Sequence, residues 1–454
     1  MKTIIMSGGA GTRITSIASA IPKPMIKICG MPVLEHEISC LRVQGFTDLI
    51  MTVSHLGSVI MNYFGDGKKV SPVTGRPFGV NITYYNEKNP LGNAGALFKM
   101  RKQLGDKPFL LLNGDAVFDV DFNRMAAFHE HKGGLVTLFS HPNDHPYDSG
   151  LLIADADMSV KAWLSKEDER PKYYKNRVNA GIHVIDPYLL EMSHIDASKI
   201  GVMDKSTGKI IKIDLDRNLL KPLAGTGKMF CYDSPEYVKD MGTPERFYEV
   251  QEDFSTGRVQ ARNLLNKQKA VFLDRDGVIN VYKEFLTDIS EFELLPGVAE
   301  AIRKINSSGY LAIVVTNQPV VARGEVTWSE LNEIHNKMET LLGMEGAYID
   351  GLYFCPHHPH KGYIGEVAEL KIECDCRKPK PGMLLNAAKD YNIDLHASWM
   401  IGDSVNDIKA GMAAGCKTVL INGLGTLQEV GEYGQDFTAN SLADVIENLI
   451  AKGD

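Results

Sequence analysis

Short apolar runs recur along the whole sequence and are separated by segments with the spacing of amphipathic helices. They form two series, one opening with TIIMSG and DLIMTVS and the other with VFLDRD and LAIVVTN. Continuous apolar runs of this length are typical of parallel strands that are buried on both faces. Strands that alternate with helices form α/β sheets. The pattern therefore predicts an α/β fold with two doubly wound domains.

The length of the chain supports the same division. The chain has 454 residues, which is longer than a domain with a single hydrophobic core usually is, so two domains are expected. The charged, helix-compatible stretch PERFYEVQEDFSTGRVQARNLLNKQK separates the two series. We predict a first domain over residues 1–254, a linker over 255–268 and a second domain over 269–454.

Charge and composition limit the classes of binding partner that we expect. The formal net charge is -8 and no basic stretch offsets it, which disfavours nucleic acid. No apolar run reaches membrane-spanning length. The first apolar run is also too short for a signal peptide, because a glycine turn follows it directly. Seven cysteines without a secretion signal are better interpreted as thiols or metal ligands than as a disulfide framework. We expect a cytoplasmic protein that binds neither nucleic acid nor membrane, and its oligomeric state is left open.

A glycine-rich turn, SGGAGTR, follows the first apolar run. Its glycines allow the backbone N–H groups to point at an anion, and a turn after a first strand commonly binds nucleotide phosphates. The turn is neither a Walker loop nor a dinucleotide fingerprint, so a purely structural turn is the alternative. A lysine held between two prolines follows in PKPM. The candidate residues for phosphate are Gly8, Gly9, Gly11, Thr12, Arg13 and Lys23.

GGAGTR and PKPM resemble the signature of the sugar-1-phosphate nucleotidyltransferases. NPLGNAGAL, LLNGD, VNAGIHVI and KDMGTPERF follow in the order that the family shows. The resemblance implies a Rossmann-like, GT-A-like domain in which a sugar phosphate attacks the α-phosphorus of a nucleoside triphosphate and pyrophosphate leaves. Arg13 and Lys23 would neutralise phosphate charge, as positioning and charge neutralisation carry such reactions. The family match places Gly92 and Asn179 at the substrate and makes Asp115 and Asp240 ligands of Mg²⁺.

The second series opens with a pair of carboxylates. FLDRDG places Asp274 and Asp276 on one face at the end of a strand, because side chains alternate along a strand. Two neighbouring carboxylates repel each other unless a cation or a proton lies between them. An isolated pair of this kind is often incidental, so the later elements matter. IVVTNQ, CRKPKPGM and MIGDSVND contribute, in order, Thr316, Asn317, Lys378, Asp403 and Asp407.

This order of motifs is similar to that of the haloacid-dehalogenase (HAD) phosphatases. The resemblance implies a HAD-like Rossmannoid domain in which Asp274 attacks phosphorus and forms an aspartyl phosphate. Asp276 would protonate the leaving alkoxide and then activate water. Asp274, Asp403 and the backbone carbonyl of Asp276 would hold Mg²⁺, which lets an anionic carboxylate approach an anionic phosphate.

The same resemblance assigns residues that bind phosphate. Thr316 and Lys378 would bind the oxygens of the transferring phosphoryl group, and Asn317 lies beside Thr316 in the sequence. A bisphosphate substrate would bring a second anionic group, for which Arg377 and Arg323 are candidates. Arg377 is favoured because it directly precedes Lys378, whereas a solvated side chain is an equal interpretation of Arg323.

A candidate metal loop lies between the TNQ and CRKPKPGM motifs. Cys355 and His357 form a C-x-H pair, and Cys374 and Cys376 form a C-x-C pair. Three thiolates and one imidazole match a closed structural zinc site. The two later histidines of HHPH are alternatives for the histidine ligand, and free cysteines beside surface histidines are the alternative to a metal site.

This loop, leading into CRKPKPGM, resembles the zinc-containing, cap-poor HAD branch that includes D-glycero-D-manno-heptose-1,7-bisphosphate 7-phosphatases and histidinol-phosphatases. Together the resemblances imply a bifunctional enzyme. Its second domain would remove the C7 phosphate of D-glycero-α-D-manno-heptose 1,7-bisphosphate, and its first would transfer GMP from GTP to the heptose 1-phosphate. GDP-heptose, a precursor of bacterial surface polysaccharide, and pyrophosphate would result. The alternatives are another sugar 1-phosphate, such as mannose 1-phosphate, with a histidinol-phosphatase-like domain, and a domain that only senses its ligand.

Overall fold

The computed structural model describes residues 1–8, 21–54, 56–422 and 433–451. The chain divides into two compact units. The first unit comprises Met1–Ser140, Leu152–Leu164 and Asn179–Asn263, and the second comprises His141–Leu151, Ser165–Val178 and Leu264–Asp454. The domain boundaries predicted from the sequence stay a prediction. None of the helices in the described ranges combines the length and the apolar character that a bilayer crossing requires.

Strands and helices alternate through the described part of residues 1–263. The strands are β1 (Lys2–Met6), β2 (Lys27–Ile28), β3 (Met31–Pro32), β4 (Asp48–Val53), β5 (Asn81–Asn86), β6 (Phe109–Asn113), β7 (Ala116–Asp119), β8 (Val136–His141), β9 (Leu151–Ala154), β10 (Val160–Leu164), β11 (Val178–Ile185), β12 (Met229–Asp233) and β13 (Tyr237–Asp240). The helices are α1 (Val33–Val43), α2 (Gly57–Phe64), α3 (Gly95–Lys99), α4 (Arg101–Leu104), α5 (Phe122–Lys132), α6 (Tyr188–Met192), α7 (Pro244–Ser255) and α8 (Arg258–Ala261).

The main sheet of these residues has the strand order β10-β9-β11-β6-β1-β4-β5, and β8 joins β11 to β12. The strands β6, β1, β4 and β5 are parallel, as their continuous apolar runs predict. β11 runs antiparallel to β6, with Ile182 opposite Leu112, so the sheet is mixed rather than wholly parallel. An apolar run records that a strand is buried but not its direction, which is why the sequence did not reveal this.

Side chains of β1 alternate between two cores. Ile5 packs with helices α1, α2 and α5, and Ile4 packs with α3, α4 and α6 on the opposite face. Both side chains are fully buried, and each such burial contributes about 1.5–3 kcal/mol. The first sheet is therefore covered by helices on both faces, as predicted.

The second series of runs forms a parallel sheet. Its strands are β14 (Lys269–Leu273), β15 (Tyr310–Asn317), β16 (Gly351–Cys355), β17 (Trp399–Gly402), β18 (Lys417–Ile421) and β19 (Phe437–Ala439). Its helices are α9 (Val298–Asn306), α10 (Trp328–Met344), α11 (Gly382–Tyr391), α12 (Val405–Ala414) and α13 (Leu442–Ala451). The strand order is β16-β15-β14-β17-β18-β19, and each neighbouring pair is parallel.

From β14 the chain adds β15 and β16 on one side of the sheet and β17, β18 and β19 on the other, so the order of connection reverses between β14 and β17. Such a reversal opens a crevice at the carboxyl ends of the two strands, where doubly wound proteins bind their ligands. On β14, Val271 and Leu273 pack with α9, α10 and α13, while Ala270 and Phe272 pack with α11 and α12. The second predicted doubly wound fold is thus confirmed.

Helix α10 of the second unit is also contacted by the stretch that precedes β11. The N–H of Tyr174 donates to Thr340 Oγ1 at 2.8 Å, and the N–H of Asn176 donates to Glu339 Oε2 at 3.0 Å. Arg177 Nη1 lies 3.2 Å from the same Glu339 oxygen, and these two side chains are 5% and 2% exposed. Glu339 therefore holds this stretch through a buried ion pair and a backbone hydrogen bond.

Replacing Glu339 should destabilise the second unit. In Glu339→Leu the buried guanidinium of Arg177 loses the carboxylate that lies 3.2 Å away, so the free energy of unfolding should fall by about 3 kcal/mol or more. The full chain is unfolded in urea, and the loss of phosphatase activity is used to monitor unfolding of the second unit. Glu333→Leu, at an exposed position of the same helix, is the control and should change stability by less than about 0.5 kcal/mol. Equal urea midpoints for the two variants would contradict the role of the ion pair.

Candidate active sites

The strand ends of the second unit bring three carboxylates together. Asp274 directly follows β14 and Asp403 directly follows β17, so both lie at the crevice. Asp407 lies in the first turn of α12, where Ser404 Oγ donates to its Oδ2 at 2.6 Å. Carboxylate oxygens of the three aspartates all lie within 4.8 Å of one another. The sequence-predicted residues of these motifs therefore form one cluster.

Lys378 is the cation of this cluster. Its Nζ lies 2.9 Å from Asp274 Oδ1 and 2.5 Å from Asp407 Oδ1, and it donates to the Val315 carbonyl at 2.8 Å. The Asn317 amide fixes the backbone of this lysine, because it accepts from the Lys378 N–H and donates to the Lys378 carbonyl, each at 3.0 Å. Asn317 thus acts on Lys378 and need not contact a substrate itself.

One ammonium group does not balance the negative charge of the cluster. Burial and the charge of Asp407 raise the pKa of Asp274, and burial with the charges of Asp274 and Asp407 raises the pKa of Asp403. Burial alone would lower the pKa of Lys378, but the Asp274 and Asp407 carboxylates raise it above its ordinary value. The crowded carboxylate oxygens are the hard ligands that Mg²⁺ prefers, so the donor set fits this ion.

Asp276 is held by three donors. Arg275, which is fully buried, donates through Nη2 to both Asp276 oxygens at 2.9 and 3.0 Å. Asn280 Nδ2 donates to Asp276 at 3.0 Å, and Gln318 Nε2 donates at 2.9 Å to Asp276 and to Thr316 Oγ1. Sequence reasoning missed these three donors, although two of them stand inside the DRD and TNQ motifs. Asn280 carries no sequence signal.

The cluster borders a cavity of about 320 Å³. Arg377 lines it, and its Nη1 donates to the His357 carbonyl at 3.1 Å. Arg323 does not line it; its guanidinium carbon lies 3.7 Å from the Phe285 ring centroid, and its Nη2 lies 2.7 Å from Glu325. Of the two arginines predicted to bind a second anion, the structure places Arg377 at the cavity.

The four predicted zinc ligands converge. Cys355 Sγ lies 3.5 Å from Cys374 Sγ and 3.2 Å from Cys376 Sγ. His357 Nδ1 lies 3.6 Å from the first of these sulfurs and 3.3 Å from the Cys376 sulfur. Ligands of a tetrahedral zinc at about 2.0–2.3 Å are roughly 3.3–3.8 Å apart, so three thiols and one imidazole at these separations need only small shifts to hold the ion. The two later histidines of HHPH contact each other instead.

The first unit brings Lys23, Asp115 and Asp240 together. Lys23 begins a short 3₁₀ turn, Lys23–Met25, and its Nζ lies 2.6 Å from Asp115 Oδ2. Asp115 follows β6, and the antiparallel pairing of β13 with β7 places Asp240 opposite Ala116. The two aspartates predicted to hold a metal are therefore brought next to each other by strand register.

Two further charged residues surround these aspartates. Arg246 Nη1 lies 2.7 Å from Asp240 Oδ2, and although burial opposes it, this contact lowers the pKa of Asp240. Glu37 on α1 is buried, and its carboxylate oxygens have no hydrogen-bond partner in the described ranges. Burial and the charge of Asp115 raise the pKa of Glu37. Arg246 stands inside the GTPERF motif, whereas Glu37 gave no signal because helices commonly carry glutamate.

Only some of the remaining predicted substrate residues lie in the described ranges. Gly92 has φ +82°, and a Cβ there would lie 2.2 Å from the Ile213 carbonyl, so close backbone packing requires glycine. Asn179 lies on β11, and Gly8 follows β1. Four predicted residues of the glycine turn lie outside the described ranges, namely Gly9, Gly11, Thr12 and Arg13.

Sequence comparisons match both halves of the chain. The nucleotidyl transferase family profile matches residues 2–257, and the HAD-hydrolase-like profile matches residues 375–445. The chain is 41% identical to the D-glycero-β-D-manno-heptose-1,7-bisphosphate 7-phosphatase of Yersinia pestis over 185 residues, which is 40% of this chain and 96% of that relative.

Two solved structures are also similar. HddC from Yersinia pseudotuberculosis is 22% identical, with 56% of this chain and 99% of that chain covered and a TM-score of 0.45. The D,D-heptose 1,7-bisphosphate phosphatase from B. bronchiseptica, in complex with magnesium and phosphate, is 34% identical, with 41% of this chain and 100% of that chain covered and a TM-score of 0.36.

Fold and comparisons together define an α/β enzyme with a nucleotidyltransferase domain and a HAD-like phosphatase domain. The transferase profile matches more than half of the chain, and the phosphatase relative is covered almost completely. The chain belongs to the nucleotidyl transferase family and also to the family of D-glycero-D-manno-heptose-1,7-bisphosphate 7-phosphatases. The predicted combination of a nucleotidyltransferase with a HAD phosphatase is thereby confirmed.

Gly277 should be essential to the phosphatase site. It has φ +79°, and a Cβ there would lie 2.0 Å from Asp403 Oδ2. Gly277→Ala should displace this carboxylate and lower kcat/KM for phosphate ester hydrolysis by about 100-fold or more, because misplacement of about 1 Å has effects of that size. Gly309→Ala, where a Cβ would meet nothing within 4 Å, is the control and should keep full activity. Wild-type hydrolysis by Gly277→Ala would show that the Asp403 position does not matter.

Proposed function

We propose that residues 269–454 remove the 7-phosphate of D-glycero-α-D-manno-heptose 1,7-bisphosphate, and that residues 1–254 transfer GMP from GTP to the resulting heptose 1-phosphate. The products are GDP-heptose, pyrophosphate and inorganic phosphate. The observation that carries the proposal is the cluster of Asp274, Asp403, Asp407 and Lys378, in a chain of which 185 residues are 41% identical to a heptose bisphosphate phosphatase.

Asp274 is the proposed nucleophile. Its Oδ1 accepts from the Arg275 N–H at 2.7 Å and lies 2.9 Å from Lys378 Nζ, so Oδ2 is the oxygen left for attack. The bond from Oδ2 to phosphorus forms while the bond from phosphorus to the C7 oxygen breaks, and Asp276 gives a proton to the departing alkoxide. Water then attacks phosphorus and returns a proton to Asp276, and the bond from Oδ2 to phosphorus breaks to release phosphate.

Asp274 and Asp403 are the side chains proposed to hold Mg²⁺, with the backbone carbonyl of Asp276. When bound, the ion supplies Lewis-acid neutralisation of the charge between carboxylate and phosphate. Asp407 instead pairs with Lys378 at 2.5 Å, which supports a role in orienting that lysine. Mutual repulsion and burial of the carboxylates support a cation here.

The remaining groups at the cavity are proposed to bind the two phosphates of the substrate. Lys378 and Thr316 would contact the oxygens of the transferring phosphoryl group. Arg377 lines the same cavity and is suited to the 1-phosphate, because a guanidinium forms two parallel hydrogen bonds to phosphate oxygens.

The cysteine and histidine cluster is proposed to hold a structural Zn²⁺. Its closed set of three thiolates and one imidazole leaves no open coordination position, so we assign it no catalytic step. The last of its cysteines, Cys376, directly precedes Arg377. The bound ion would therefore fix the backbone that presents Arg377 and Lys378 to the cavity. None of the seven cysteines forms a disulfide, in keeping with the cytoplasmic location that we propose.

In the first unit, an oxygen of the sugar 1-phosphate is proposed to attack the α-phosphorus of the nucleoside triphosphate while the bond to pyrophosphate breaks. Asp115 and Asp240 would hold Mg²⁺, and their adjacent strand positions support this. Lys23 and Arg13 would neutralise the phosphates. The 2.6 Å contact of Lys23 with Asp115 supports this role, because it holds the ammonium group beside a proposed metal ligand.

The identities of the sugar and of the base rest on the resemblances and not on a residue that reads guanine. The Yersinia pestis relative is named for the β-anomer of the bisphosphate, and the α-anomer is our proposal for this chain. That relative favours a heptose ester over histidinol phosphate as the substrate of the phosphatase.

One end-point assay tests the proposal. The full chain is incubated with Mg²⁺, the α- or β-anomer of heptose 1,7-bisphosphate, and GTP, CTP, UTP or dTTP, and free phosphate and nucleotide sugar are both measured. We expect phosphate in every reaction with the preferred anomer and a nucleotide sugar only with GTP. A nucleotide sugar formed only from a hexose 1-phosphate, or faster hydrolysis of histidinol phosphate, would contradict the proposal.

The variant Asp274→Asn separates the two steps in the same assay. Loss of the nucleophile should lower phosphate release by more than about 1,000-fold. No GDP-heptose should then form from the bisphosphate, although heptose 1-phosphate should still be converted at the wild-type rate. Asp115→Asn is the matched control and should release phosphate without forming nucleotide sugar. Loss of both activities in Asp274→Asn would show that the two sites are not independent.

A further inference from the structure

Two side chains four residues apart on β11 are in contact. His183 Nε2 lies 3.1 Å from Asn179 Oδ1. In a regular strand, residues with this separation are about 13 Å apart, so the strand must bend between them. Gly181 lies midway with φ +74°, and a Cβ there would lie 2.5 Å from Asn113 Nδ2. Both the bend and the close approach of Asn113 therefore require glycine.

The direction of the hydrogen bond follows from a second contact. The N–H of Gly181 donates to Asn179 Oδ1 at 3.4 Å. Only the amide oxygen can accept from a backbone N–H, so this contact sets the orientation of the Asn179 amide. His183 must then donate through Nε2. Burial lowers the pKa of His183 to about 3, so the ring is neutral and carries its single proton on Nε2.

These contacts leave one group of Asn179 available. Its Oδ1 is used twice, whereas its Nδ2 has no hydrogen-bond partner among the described residues, and the side chain is only half-buried. Asn113, which lies against Gly181, is two residues before Asp115. The amide of Asn179 is therefore held at the side of the sheet where the proposed metal ligand Asp115 follows β6.

We propose that His183 is a positioning residue that holds the Asn179 amide so that its Nδ2 donates to a hydroxyl oxygen of the sugar phosphate. This rests on the proposed nucleotidyl transfer. The neutral His183 ring suits this role. A charged ring would attract the phosphates, whereas a neutral N–H can hold the Asn179 amide without doing so. His183 itself does not contact the sugar, so its effect is on binding of the sugar phosphate and not of the nucleotide.

The test compares two variants of His183 in the full chain. His183→Leu removes the donor, whereas His183→Gln keeps an N–H donor on a side chain of similar reach. We expect His183→Leu to raise the KM for heptose 1-phosphate by about 10-fold, as for the loss of one hydrogen bond, and to leave the KM for GTP within about twofold. His183→Gln should restore most of the affinity. Hydrolysis of the bisphosphate by the same chain should be unchanged in both variants.

His129→Leu is the matched control for loss of a buried histidine. His129 is buried on α5, and its Nδ1 lies 2.9 Å from Thr137 Oγ1. This variant should leave the KM for heptose 1-phosphate unchanged. An equal rise of both KM values in His183→Leu, or a rise that His183→Gln does not reverse, would overturn the positioning role.

Asn179→Ala distinguishes the ways in which the proposal can fail. It should raise the KM for heptose 1-phosphate at least as much as His183→Leu does. If Asn179→Ala raises this KM and His183→Leu does not, the role of His183 is wrong. If Asn179→Ala has no effect, the sugar contact and with it the role of His183 are wrong, although nucleotidyl transfer stands. A wild-type chain that forms no nucleotide sugar would instead contradict the proposed function.

Discussion

The phosphatase site depends on one buried ammonium group placed between two carboxylates. Lys378 Nζ lies 2.9 Å from Asp274 and 2.5 Å from Asp407, and Asp403 adds a third carboxylate within 4.8 Å of both. Buried charges are costly unless they are paired, and one cation cannot pair with three anions. The topology creates this imbalance, because the reversal of strand order brings the ends of β14 and β17 to one crevice. A bound divalent cation would bring the summed charge of Lys378 and the three carboxylates to zero, and this would remove the repulsion that an incoming phosphate otherwise meets.

The first unit uses the same physical arrangement with a different charge balance. Asp115 and Asp240 are adjacent through strand register, but each already has a basic partner, Lys23 at 2.6 Å and Arg246 at 2.7 Å. When substrates bind, the carboxylates would exchange these basic partners for a metal ion, and the basic side chains would turn to triphosphate oxygens. Such an exchange suits a reaction that depends mainly on charge neutralisation. Asp274, the proposed nucleophile, is instead held on one oxygen by two donors, the Arg275 N–H at 2.7 Å and Lys378 Nζ at 2.9 Å.

Much of the fold and of the site could be predicted from local sequence, because parallel buried strands are continuously apolar and their ends carry the carboxylates. The cluster of three cysteines and one histidine could also be predicted, since paired metal ligands have characteristic spacing. The antiparallel direction of β11 was not, because apolar runs do not encode direction. Arg177 gave no sign of pairing with Glu339, 162 residues away, and Glu37 looked like an ordinary helical glutamate. Contacts of this kind depend on tertiary packing, which a single sequence does not display.

Anomalous scattering from crystals of the full chain grown with Mn²⁺ tests most directly whether the carboxylates at the strand ends hold a divalent cation. We predict a peak about 2.0–2.3 Å from carboxylate oxygens of Asp274 and Asp403, close to the distances of other hard cations. This peak should be absent in Asp403→Asn crystals. Mn²⁺ bound elsewhere in the chain without a peak at these two residues, or a peak that persists in Asp403→Asn, would contradict the charge-balance explanation of the site.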